Sequence, residues 1–156
     1  MGQFAGAALG ALVVMLAVDD EGVAAGTPMI NENLVNVGGA VALEAVATFI
    51  LVLVFFGTVV DERAPVSVYP FAIGGVVIAG NGALLATTGG ALNPARGFGP
   101  AVVSGEWDAV ASWLAGPLIG AVLAWALYAF VISDREPTSK NTYPQPVPPP
   151  GPSLLP

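Results

Sequence analysis

Cysteine and histidine are both absent from this chain of 156 residues. Without cysteine there is no disulfide, thiol nucleophile or cysteine-ligated metal. Without histidine the commonest metal ligand and the usual proton carrier near neutral pH are gone as well. Charge is scarce: four basic and eleven acidic residues make up 10% of the chain, against about a quarter in soluble domains. Lysine occurs once and the net charge is −7, with a pI near 4.1. So few cations leave no basic surface for nucleic acid or for anionic lipid headgroups. The apolar runs hold no base–nucleophile pair and a single acid, Glu44. The sequence therefore predicts no enzyme, no metal and no cofactor. Loops rich in acid, with Asp19, Asp20, Glu21, Asp61 and Glu62, suit surroundings of very high salt, and a halophilic source is expected.

What is present is apolar. Hydrophobic residues make up 55% and the mean hydropathy is +0.78, which predicts an all-α membrane protein of one domain. Four apolar runs read as spans: residues 2–18, 37–60, 66–86 and 109–132. The first is at the short end for a hydrocarbon core of about 30 Å, whereas the second crosses it comfortably. Gly2, Gly6 and Gly10 recur every four residues in the first run, with Ala7 and Ala11 beside them, a stripe that lets another helix come close. A secretory signal is the alternative for this run, with Val23-Ala24-Ala25 as a loose cleavage site, but a basic leader is missing. Residues 19–36 read as an exposed loop. Gly116 and Gly120 form a second small-residue pair. Residues 134–156 are rich in proline and read as a polyproline-like or disordered tail.

Three polar residues within the runs stand out. Glu44 is the only charge in 37–60, so it is either a functional group facing the interior or the sign of a misjudged boundary. Thr48 lies one turn away and either serves the same site or bonds back to its own helix. Asn81 is the one amide in the third run, suited to an interhelical hydrogen bond.

The stretch Thr87-Thr88-Gly89-Gly90-Ala91-Leu92-Asn93-Pro94-Ala95-Arg96-Gly97-Phe98-Gly99-Pro100 carries the only charge between Arg63 and Glu106. An arginine in such a setting is costly and by default lines a polar cavity. The blander reading is a Gly/Pro turn with Arg96 snorkelling to the interface. Asn93 as N-cap and Pro94 at the first helical position start a half-helix over 94–103, ended by Ser104-Gly105. Non-helical backbone at membrane depth survives only where it is buried in protein or lines water. That combination points to a pore.

The longer string GGALNPARGFGPAVVSGEW closely resembles the second signature of the aquaporins, the major intrinsic proteins, and the resemblance runs from about Gly2 to Val131. Gln3-Phe4-Ala5-Gly6-Ala7 is similar to the middle of the family's third helix, Leu43-Glu44-Ala45-Val46-Ala47-Thr48-Phe49 to the fourth and Gly116-Pro117-Leu118-Ile119-Gly120 to the sixth. The resemblance implies a pore motif at Asn93, Pro94 and Ala95, and a selectivity filter that includes Arg96, Asn81 and Gly90. It also implies carbonyl acceptors at Gly89, Gly90 and Ala91, and a Glu44 that accepts hydrogen bonds from the re-entrant loop. Asn81 departs from the histidine and glycine common at its place. The half-helix dipole and its free amides would face the membrane midplane, the Asn93 amide would donate to passing water, and Arg96 would repel cations, the devices by which aquaporins select.

The function so implied is passive transport of water, with small neutral solutes as an addition. A glycerol facilitator is the alternative: Gly97 and Ala101 follow the water-channel habit, while Leu114 leans towards glycerol. The family pore consists of two inverted repeats, and this chain resembles the second repeat with part of the third helix. A fragment, a natural half with a separately encoded N-terminal partner, and a non-conducting membrane scaffold are the competing explanations. A homotetramer embedded in lipid is the family's habit. Arg63, Arg135 and Lys140 fall on one side if the spans alternate, which places both termini in the cytoplasm, and the plasma membrane is the expected location.

Overall fold

A computed structural model describes residues 1–18, 20–61, 63–65 and 67–133. The proline-rich tail, with Arg135 and Lys140, lies outside the described residues, as do Asp19, Glu62 and Val66. The chain is all-α, with helices α1 (Gly2–Met15), α2 (Asp20–Ala25), α3 (Val37–Phe55), α4 (Tyr69–Leu84), α5 (Pro94–Ser104) and α6 (Gly116–Leu127). A π-helical turn at Phe56–Val60 extends α3, and π turns at Ala111–Ala115 and Tyr128–Ile132 precede and follow α6. Val37–Val60 and Ala111–Ile132 thus run for 24 and 22 residues and are long and apolar enough to cross a membrane. At 1.5 Å per residue they reach about 36 and 33 Å. The helices α1 and α4, at 14 and 16 residues, are shorter than the apolar runs 2–18 and 66–86 that contain them.

Burial runs opposite to that of a soluble protein. Glu44, Thr88 and Ser112 are fully buried, while Phe71, Ile78, Leu118, Val122 and Leu123 are more than half exposed. Water would penalise that arrangement heavily, whereas lipid accepts apolar side chains and requires polar groups to turn inward.

Close approach is set by small residues. A Cβ built on Gly116 would lie 2.6 Å from Glu44 Cβ, and one on Gly120 would overlap the Ala45 carbonyl oxygen. Only glycine lets α6 lie this near α3. The helix α1 packs on α5, where a Cβ on Gly99 would overlap the Ala7 carbonyl and the rings of Phe4 and Phe98 meet edge to face at 5.1 Å. The expected glycine stripe is not the contact: a Cβ on Gly2, Gly6 or Gly10 would meet nothing within 4 Å. Instead the adjoining face, with Phe4, Ala7 and buried Ala11, turns towards the protein. At the far end Phe56 stacks on Tyr128, centroids 5.0 Å apart. Beyond it Arg63 grips Asp61 through Nε and Nη2 at 2.9 and 2.7 Å, and the guanidinium holds that carboxyl well below the usual carboxylate range.

Gly120→Ala is expected to destabilise the protein in detergent by about 1–3 kcal/mol, because the added methyl forces α3 and α6 apart. Gly82→Ala, at a helical position where a Cβ meets nothing, should be neutral or mildly stabilising. Thermal unfolding of the two variants side by side checks this.

Candidate functional site

The site is built on a buried carboxylate. Glu44 projects from the middle of α3 and is 0% exposed. Its Oε1 accepts from the Thr88 hydroxyl at 2.6 Å and from the Ala91 N–H at 2.8 Å, and its Oε2 accepts from the Leu92 N–H at 2.8 Å. Thr88, also fully buried, in turn accepts a longer bond from the Gly90 N–H at 3.4 Å. The segment between α4 and α5 cannot pair its backbone in a helix, and a buried amide without a partner is costly. A carboxylate offers the strongest acceptors for it.

Backbone conformation shapes the same segment. Gly89 and Gly90 have φ of 80° and 59°, a region that L side chains rarely occupy. Leu92 adopts φ 52° despite its side chain, a strain of the kind that survives only where the surroundings over-determine it. Here they do: its amide is held by Glu44, and its isobutyl group lies so close to Gly80 that a Cβ there would sit 2.7 Å from Leu92 Cδ2. A Cβ on Gly90 would lie 2.9 Å from Asn81 Cα, so the structure brings Asn81 and Gly90 together. The Asn81 amide donates to the Val77 carbonyl of its own helix at 2.8 Å, not across to a neighbouring helix.

The half-helix α5 begins at Asn93, in extended conformation with φ −152° and ψ 124°, followed by Pro94. Asn93 Oδ1 accepts from the Ala95 N–H at 2.9 Å, and its carbonyl accepts from Arg96 and Gly97 at 3.0 and 3.3 Å. Proline has no N–H, so the first turn presents no bare amide, contrary to expectation. What remains at this end is the helix dipole and the Asn93 Nδ2, which donates to no described residue while Oδ1 caps the helix. The carbonyls of Gly89, Gly90 and Ala91 accept no hydrogen bond from a described residue. Gly105, at φ 79°, ends the helix. Beside Asn93 and Pro94 lies a cavity of about 370 Å³, which Gln3, Thr48, Leu92 and Pro117 also line. The Thr48 hydroxyl is buried without a partner, so it neither reaches the Glu44 cluster nor bonds to its own helix.

Arg96 Nη1 donates to the Gly26 carbonyl at 2.6 Å, and no carboxylate among the described residues forms an ion pair with it. Gly26 belongs to the stretch read from sequence as exposed loop. That stretch instead contains α2, and Val23, Thr27 and Pro28 are buried. Asn31 bonds to the carbonyls of Thr87 and Ala86 through its N–H and Nδ2, at 2.9 and 3.2 Å. Sequence reasoning gave no role to Gly26, Thr27, Asn31 or Thr88 and read Ser104 only as the end of the half-helix. The Thr-Pro and Asn signals in 27–31 mark a turn, but a backbone carbonyl that meets a distant arginine leaves no trace in residue type.

These features define a class: a helical membrane unit folded round a re-entrant half-helix whose loop hangs from a buried carboxylate. The major intrinsic protein family model matches residues 1–128, and the chain belongs to that family. Human aquaporin-4 is 37% identical over 131 residues, covering 83% of this chain and 40% of its own length. Aquaporin C of Dictyostelium discoideum is 43% identical over 104 residues, 65% of this chain and 38% of its own. A probable aquaporin, AqpM, of Archaeoglobus fulgidus is 36% identical over 146 residues, 85% and 56%. The chain thus matches about two-fifths to just over half of the length of these relatives.

Glu44→Gln replaces one acceptor with an NH2 that faces a donor. It should cost about 1–3 kcal/mol and expose the Ala91 and Leu92 amides to solvent exchange. Hydrogen–deuterium exchange should accelerate at those two amides and leave the Gly39 amide, capped by Asn36 at 2.8 Å, unchanged.

Proposed function

We propose that the chain forms the second half of a transmembrane water channel, with residues 1–133 as its membrane domain. The observation that carries this reading is the half-helix start: Glu44 fixes the loop, Asn93 caps with its oxygen, and its Nδ2 is left to donate beside an open cavity. A water molecule that accepts from Asn93 under the positive end of the dipole orients its hydrogens away, which breaks the relay of protons. Arg96 adds a positive charge at the wall and repels cations. Gly90 against Asn81 leaves a filter side without a bulky group, and an opposing inverted repeat would supply the rest of the wall.

In this reading Asn93, Pro94 and Ala95 are the pore motif, and Arg96, Asn81 and Gly90 are filter members. The carbonyls of Gly89, Gly90 and Ala91 are stepping acceptors. Small neutral solutes are secondary cargo, no cofactor takes part, and the assembly is a tetramer in the plasma membrane with both termini cytoplasmic. The names of the aquaporin relatives support channel activity. The acidic loops fit a halophilic source.

The test supplies the opposing half. The part of the Archaeoglobus fulgidus relative that precedes its matched region is fused ahead of Gly2 and reconstituted in liposomes. Osmotic shrinkage should be several-fold faster than in protein-free liposomes, and Arg96→Val should admit cations. Shrinkage at the protein-free rate by a folded fusion would contradict the channel reading and favour a non-conducting scaffold. Glycerol flux comparable to water flux would overturn the preference for water.

A further inference from the structure

A second cavity, of about 590 Å³, lies where α2, the loop that follows it, the start of α3 and the return after α5 come together. Its volume falls within the roughly 300–1,000 Å³ of pockets that hold small molecules. Ala25, Pro28, Met29, Ile30 and Val37 give it an apolar lining, and methionine adapts readily to the shape of an occupant. Hydrogen bonds fix the loop wall. The Thr27 hydroxyl donates to the Val23 carbonyl at 3.4 Å and meets the Ser104 hydroxyl at 3.2 Å, while the Asn31 N–H donates to the Thr87 carbonyl at 2.9 Å. The hollow is therefore formed before any ligand arrives.

Its charged lining is of one sign. Glu21, Glu32, Glu106 and Asp108 border the cavity and no basic residue does. None of the four carboxylates has an ion pair or a hydrogen bond among the described residues, and Arg96 is turned to the Gly26 carbonyl instead. The four are also spread out: no three acids among the described residues stand close enough together to hold a metal ion. A bare inorganic cation would in any case keep its water and gain nothing from Met29 or Ile30. Attraction between exposed charges is screened beyond about 8 Å at physiological salt, so charge alone would hold any cation weakly. The combination suits a cation that carries hydrocarbon of its own.

We propose that this cavity binds an organic ammonium ion with apolar substituents, its hydrocarbon against Pro28, Met29 and Ile30 and its charge among the four carboxylates. The probe is tetrapropylammonium, added to the whole chain in phosphatidylcholine liposomes and followed by saturation-transfer NMR, with protein-free liposomes as the blank. Tetrapropylammonium should bind at least about tenfold more tightly than tetramethylammonium, which has the charge but little hydrocarbon. Glu106→Gln with Asp108→Asn should weaken binding roughly fivefold. Ala25→Phe, which fills the hollow from its edge, should weaken it by as much or more. All three of these residues are exposed, and the carboxamide pair carries the test if the phenylalanine variant does not fold. Equal affinity for the two ammonium ions would overturn the proposal, as would binding that no folded variant changes. Displacement of tetrapropylammonium by sodium at the same concentration would overturn it too, and leave only a general attraction for cations.

Discussion

One carboxylate bears the burden of the structure. A loop that leaves the helical path inside a membrane exposes amides that lipid cannot satisfy, and Glu44 takes up two of them together with the Thr88 hydroxyl. Because those three donors come from residues 88, 91 and 92, the carboxylate fixes the curve of the loop as well as its depth. The left-handed conformation at Leu92 and the direction of the half-helix that starts at Asn93 follow from that curve. Burial of a charge is costly unless every lone pair finds a donor, and here the loop provides the donors while the carboxylate provides the acceptors. Neither part is tenable without the other.

Packing and electrostatics are joined at the same place. Gly116 brings α6 against Glu44 Cβ, and Trp113, 2% exposed, closes over Gly97 with its ring 2.6 Å from where a Cβ would stand. Glycine thus lets three elements meet round the carboxylate and the half-helix. Around that small-residue centre the large apolar side chains turn outward. Arg96 completes the picture from the other side, as a charge held by a neutral carbonyl, so a satisfied carboxylate in the interior is combined with a cation that forms no ion pair among the described residues.

Much of this was legible in the residues. The bounds of α3 with its π turn coincide with the apolar run 37–60, since a continuous apolar run without proline has only its ends to define. Asn93-Pro94 and Ser104-Gly105 marked α5 because capping chemistry is local. Glu44 stood out because charge in such a run is rare, although its partners came only from family resemblance. What sequence could not give is what depends on the path of the backbone. Of the small-residue stripe on α1, Ala7 and Ala11 turn towards the protein whereas a Cβ on Gly2, Gly6 or Gly10 would meet nothing within 4 Å, since small residues permit approach without directing it. The first turn of α5 was expected to offer free amides, yet the Asn93 side chain folds back on one of them. Residues 19–36 read as exposed loop in the sequence because polar turn residues look alike whether they meet solvent or another loop.

The measurement that bears most directly on the central claim is a double-mutant cycle between Glu44 and Thr88. Glu44→Gln, Thr88→Val and the pair together are compared by unfolding in detergent, so that losses unrelated to their mutual bond cancel. A charge-assisted bond at the centre of the loop predicts a coupling of about 1.5–3 kcal/mol. Additive losses, with coupling near zero, would contradict a charge-assisted bond between Glu44 and Thr88 at the centre of the loop.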